Sequence, residues 1–227
     1  MFVAAFEDWI NFLPVIIVVA VLIFAVASVW LADISKKKRM RQVERAAGEL
    51  SLVYRESLSD EDQLRLSVFP LMQMGGGGLS TNAVIADNDA ARLILFDHKY
   101  TLGSGKNQST HRQTVAWMTS DAMNLPQFSL SPESWWHRMG DLLTKQDIDF
   151  DEDPEFSNRF LLKGTDSADI RNFFNANRRQ ALLKINKPSI EAHGRGFIFF
   201  RPGQLVPTDQ MKEFMNDAFS VFQTLVG

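Results

Sequence analysis

Residues 9–32 run from Trp9 to Ala32 without a single charged side chain, and this stretch constrains the fold more tightly than any other feature. At about 1.5 Å per residue, a helix of that length crosses roughly 30 Å of hydrocarbon. Lipid offers the backbone no hydrogen-bond partner, so a single crossing has to be helical. Pro14 falls near the start, where a missing N–H costs least. Trp9 and Trp30 stand toward the two ends, where indoles favour the headgroup layer. Glu7 and Asp8 precede the stretch; Lys36, Lys37, Lys38, Arg39 and Arg41 follow it. Cations gather on the cytosolic side of membrane helices. The expected topology is therefore a short extracytoplasmic N-terminus at 1–8, a transmembrane helix at 9–32 and a basic collar with a stem helix at 33–50. A cytosolic domain at 51–227 follows.

Two other structures compete for the apolar stretch. A soluble core helix rarely stays apolar on every face over such a length. A cleaved signal peptide has more in its favour, because Ala25-Val26-Ala27 before Ser28 resembles a cleavage site. Against it, the leading residues hold acids and no Lys or Arg, and apolar residues continue past Ser28 through Leu31.

Setting aside the five collar cations and Glu7, Asp8 and Asp33 leaves 19 basic and 24 acidic residues, a net charge of −5. An acidic domain is a poor match for nucleic acid, whose binding rests on neutralised phosphates. The expected partners are a lipid bilayer and a protein, not nucleic acid. The chain has no cysteine, which excludes disulfides, thiol catalysis and cysteine-ligated metals.

Beyond residue 36 the pattern reads as an α+β domain. Val43, Ala46, Ala47 and Leu50 keep helical spacing. A short strand is expected at 51–56, and Ser59 with Asp62 marks a helix start. Gly75, Gly76, Gly77 and Gly78 read as a flexible glycine-rich loop. Strands at 83–87, 91–101 and 110–119 build a long hairpin, and 189–193 with 197–201 a second one. Residues 124–130 are extended, and Ser131-Pro132-Glu133 looks like the opening of a helix reaching about 145. Short strands are expected at 147–150 and 160–163, and helices near 166–174 and 177–185. A final helix from Thr208 carries Met211, Phe214, Met215, Ala218, Phe222, Leu225 and Val226 on an apolar face expected to cover a mainly antiparallel sheet. A PH-like, partly open barrel capped by that helix is one specific form.

Several motifs invite a chemical reading. Gly103-Ser104-Gly105-Lys106-Asn107 resembles a phosphate loop, but Tyr100 stands where its first glycine is needed and Asn107 where its hydroxyl is needed. A hairpin turn, exposed and available for function, is the expected structure. Asp147, Asp149 and Asp151 mimic a calcium loop, yet Glu152 and Asn158 occupy the positions that require Gly and Glu. His98 and His111 with Asp97 offer a two-histidine, one-carboxylate set that would suit zinc or iron if the hairpin register faced them together. Trp135 and Trp136 form a candidate contact with a partner. No cofactor is called for by any motif.

The segments at 103–115, 124–133, 146–157 and 199–203 resemble a family of bacterial proteins with no assigned activity, often carrying an N-terminal membrane segment. The resemblance covers roughly 83–225. It implies one domain and a bacterial cytoplasmic membrane, and it supplies no catalytic residues. The expected role is that of a membrane-tethered interaction or scaffold module. A metal- or phosphate-dependent hydrolase built on the 97–111 hairpin is the first alternative. A ligand sensor signalling through the stem helix is the second.

Overall fold

The computed structural model describes residues 2–133 and 147–227, and their side chains from residue 17 onward. The chain forms two compact units, Met1–Gln42 and Val43–Gly227. The first consists of most of a 48-residue helix, α1 (Phe2–Glu49). Its Ile17–Glu49 portion is long and apolar enough to cross a membrane. Apolar side chains from Ile17 to Ile34 are exposed all round it, Phe24 at 76% and Val26 at 70%. Burying one such side chain is worth about 1.5–3 kcal/mol, so a run of them exposed on every face would gain from an apolar surrounding such as a membrane interior.

The second unit begins within the last turns of α1, where Val43, Ala46 and Ala47 turn one face into its core. It is an α+β domain on one unclosed sheet of eight strands, every pairing antiparallel. The strands are β1 (Val53–Ser57), β2 (Gly76–Asp87), β3 (Arg92–Leu102), β4 (Ser109–Thr119), β5 (Leu125–Pro132), β6 (Phe160–Gly164), β7 (Ser189–Gly194) and β8 (Gly196–Phe200). Their order is β1-β2-β3-β4-β8-β7-β5-β6, which leaves β1 and β6 at the edges. The short hairpin β7–β8 thus lies in the interior of the sheet, between β4 and β5.

That position explains its sequence. A strand covered on both faces reads as a continuous apolar run rather than an alternating one. In β8, Phe197 and Phe199 enter one core, and Ile198 and Phe200 enter the other. The larger core is covered by α1's last turns and by α4 (Pro154–Arg159), α5 (Ser167–Phe173), α6 (Ala176–Leu183) and α7 (Met211–Val226). The smaller lies under α2 (Asp60–Leu66) and α3 (Pro70–Gln73), with Leu66, Phe69 and Leu71 against Phe96, Trp117 and Phe200.

The helix starts follow from local chemistry. The Ser59 side chain accepts from the Asp62 amide at 3.1 Å, and Asp166 caps α5 by accepting from Ala168 and Asp169. The C-terminal helix packs Met211, Phe214, Ala218, Val221 and Leu225 inward, with the Phe214 ring stacked on Phe199 at 5.0 Å.

Three local expectations change. The glycine-rich run is not a loop beyond Gly75: Gly76, Gly77 and Gly78 open β2, with Gly76 paired to Thr101 of β3 and Gly77 and Gly78 in the irregular step before Leu79 pairs with Lys99. Gly75 has φ +61°, and a Cβ there would sit 2.0 Å from the Thr101 carbonyl oxygen, so the close approach itself selects glycine. Ser131 and Pro132 end β5, so the expected helix begins no earlier than Glu133, which is helical, and its remainder from residue 134, with Trp135 and Trp136, lies outside the described residues. Residues 147–150 are not a strand, although the Ile148 amide donates to the Leu162 carbonyl at the β6 edge.

Candidate functional site

The 97–111 hairpin is the place to begin, because its register decides whether three candidate residues meet. His98 pairs with Gln113, and Tyr100 pairs with His111. Cross-strand partners share a face, and so do residues two apart. His98, Tyr100 and His111 therefore lie on the face of the smaller core, while Asp97 takes the opposite one. The three rings form a stack, His98 to Tyr100 at 5.7 Å and Tyr100 to His111 at 5.3 Å. The tyrosine thus separates the two imidazoles. Among the described residues no group of three His, Asp or Glu side chains converges as a metal site.

Each member has a structural assignment. Asp97 accepts from Asn82 Nδ2 and from Thr114 Oγ1, both at 2.9 Å. Thr114 Oγ1 in turn accepts from the Val206 amide, and Tyr54 donates to Asn82 Oδ1. This chain of bonds links β1 to the segment leading into α7. His98 shares a hydrogen bond between Nδ1 and Ser80 Oγ at 3.0 Å, and burial lowers its pKa to about 4. It is neutral at physiological pH. His111 is partly exposed and bonds Ser109 Oγ.

The 103–107 loop is an exposed hairpin connection. Gly103 and Gly105 adopt φ +78° and +57°, and Gly105–Asn107 makes one 3-10 turn before β4. No helix follows it, so its amides do not point along a helix axis toward a phosphate. The acids at 147–155 serve the local fold. Asp147 Oδ1 accepts from the Ile148 and Leu162 amides, and Asp153 caps α4.

The structure brings forward residues that the sequence pattern does not single out. Glu191, on β7, is 1% exposed, and both its carboxylate oxygens accept from the Leu71 amide, at 2.9 and 3.2 Å. Desolvation pushes its pKa up to about 8. Tyr100 is fully buried on the same sheet face. Burial, with a smaller contribution from Glu191, raises its phenol to about 12. Tyr100, Ser131 and Ser189 carry buried hydroxyls with no hydrogen-bond partner among the described residues. A cavity of about 60 Å³ lies nearby, between Phe69 and Pro70 on one side and Ser129 and Lys163 on the other. The period of two in β7 showed that Ser189 and Glu191 share a face. It gave no sign that α2 and α3, some 120 positions earlier, would cover that face.

On the outer side of α7 the apolar residues split into two seams. One is buried. The other runs through Met215, Phe219, Phe222 and Val226, at i, i+4, i+7 and i+11, with Phe219 47% exposed. The Phe219 and Phe222 rings contact each other at 5.8 Å. An open groove of about 610 Å³ lies between α6 and α7, lined by Lys184, Arg201, Glu213, Asp217, Gln223 and Thr224. At 100° per residue the groove residues Glu213, Asp217 and Thr224 lie on the opposite flank of α7 from the seam, so the apolar seam and the charged groove are separate surfaces.

No protein-family model matches the chain, and no curated protein sequence matches it. Among solved structures, the mycobacterial trehalose monomycolate transport factor A, TtfA, is similar in fold. Its TM-score is 0.59 at 11% identity, and the match covers 82% of this chain and 93% of that one. The likeness establishes a shared architecture.

Proposed function

We propose that the protein is a membrane-tethered accessory protein whose α+β domain is an interaction or scaffold module at the cytosolic face of a bacterial inner membrane. The observation that carries this reading is α1. Its apolar side chains are exposed on every face from Ile17 to Ile34, and a block of cations follows directly. The positive-inside bias then supports an outside N-terminus and a cytosolic domain. The exposed apolar seam on α7 supports docking of a protein. The fold shared with a protein named as a transport factor supports an accessory role. A bacterial setting agrees with the resemblance across 83–225.

The hydrolase reading loses ground because Asp97 and the two histidines occupy opposite faces of the hairpin. A sensing role retains one specific support. The Tyr54–Asn82–Asp97–Thr114 chain joins the strand that follows α1 to the segment that leads into α7.

Fractionation tests the tether. The full-length protein is expected to stay with membranes through alkaline carbonate and to be released by detergent. Release by carbonate alone would contradict an integral anchor.

A further inference from the structure

The block at 36–41 has a geometry that a topology signal does not require. Steps of 100° per residue distribute Lys36, Lys37, Lys38, Arg39 and Arg41 around the whole circumference of α1, as a ring and not a stripe. Lys36, Lys37, Lys38 and Arg41 are exposed. Asp33 engages Lys37 at 2.7 Å, whereas Lys36, Lys38 and Arg41 have no ion pair among the described residues. The ring occupies about 8 Å of helix axis, close to the depth of one headgroup layer. It begins four residues after the last residue of the uncharged stretch, on the same unbroken helix. Long cationic side chains at that level extend into the headgroups.

We propose that this ring is a binding site for anionic lipid headgroups, collecting phosphate-bearing acidic lipids around the anchor. The proposal rests on the reading of 9–32 as a membrane span. Each Lys or Arg near an anionic surface contributes about 1 kcal/mol, so one effective cation enriches acidic lipid next to the helix about fivefold. The headgroups would come from the bilayer itself and not from soluble phosphate, because the ring encircles the helix at its junction with the apolar stretch.

The test uses the full chain, in a W9F/W135F/W136F background, reconstituted in vesicles of phosphatidylcholine and phosphatidylglycerol. Either lipid carries brominated acyl chains at the same mole fraction, and quenching of Trp30, six residues from the ring, is read over the constant emission of Trp117 buried in the domain. Brominated phosphatidylglycerol is expected to quench as though enriched about fivefold. That preference is expected to disappear in K36Q/K37Q/K38Q/R39Q/R41Q and to collapse in about 1 M NaCl, where the Debye length is about 3 Å. Equal quenching by both brominated lipids, or a preference that survives the five substitutions, would overturn the lipid site while leaving the anchor intact. Quenching by neither lipid would overturn the anchor itself.

Discussion

Arg179→Ala is expected to destabilise the domain by about 3 kcal/mol, the lower end of the range for breaking a buried ion pair. Arg179 is 5% exposed, on α6. Its Nε donates to Asp153 Oδ2 at 2.9 Å, and one terminal nitrogen donates to the Phe174 carbonyl at 2.8 Å. The guanidinium also lies over the Phe150 ring, 4.3 Å from its centroid. Asp153 in turn caps α4 through the Phe156 amide, and the hydrogen bond from Arg179 is the main reason its carboxyl titrates below the ordinary range. Removing the arginine leaves that carboxylate buried without its cation. The lower end applies because Glu152, 3.3 Å from the guanidinium, is largely exposed and brings solvent to one side. A loss of this size is a substantial share of the roughly 5–15 kcal/mol that holds a domain folded. Replacing both partners, in R179M/D153N, is expected to cost much less, since neither charge is then stranded and Asn keeps an acceptor for the Phe156 amide. Urea midpoints of the two variants and the parent decide the point; equal midpoints for Arg179→Ala and the parent would show the pair to be immaterial.

The second large effect is a dependence of stability on pH carried by Glu191. Its folded-state pKa of about 8 stands above the ordinary value of 4.5 because burial penalises the charged form. Between those values the folded protein keeps a proton that the unfolded chain has released. Stability from this group is therefore complete below 4.5, falls as pH rises, and levels off above 8. The slope is about 1.4 kcal/mol per pH unit for one fully buried group. His98 acts in the opposite sense. Its pKa drops from 6.5 to about 4, so its contribution rises with pH across that interval and is complete above 6.5. The window from 6.5 to 8 is thus where Glu191 dominates between the two. Thermal melts there are expected to fall steadily for the parent and to stay nearly flat for Glu191→Gln, which keeps an acceptor for the Leu71 amide. Parallel falls in both proteins would assign the slope to other groups.

The residues legible in the sequence were those whose chemistry is local. Ser59 announces α2 because its partner, the Asp62 amide, is three residues away. The β3–β4 and β7–β8 hairpins follow from alternation and turn residues within one stretch of chain. The α1 span is legible because length and composition alone define it. What stayed hidden depends on distant chain. Glu191 alternates like a solvent-facing residue and is buried only because Leu71 arrives over it. The α4 helix hid in an acid-rich run whose Ile148 and Phe150 mimic a strand, and its Asp153 cap is fixed by Arg179 on α6. Asp97 and His98 are adjacent in sequence, which makes them look like a site. The same adjacency places them on opposite sides of a sheet.

Site-specific labelling examines the tether and its direction together, and the absence of native cysteine makes it clean. Ala5→Cys and Ser104→Cys are made separately in the full chain and exposed to a membrane-impermeant maleimide in bacterial cells with a permeable outer membrane and an intact inner membrane. Labelling of Ala5→Cys in those cells, with Ser104→Cys reacting only after lysis, is the predicted result. Labelling of Ser104→Cys before lysis would contradict the placement of the α+β domain at the cytosolic face.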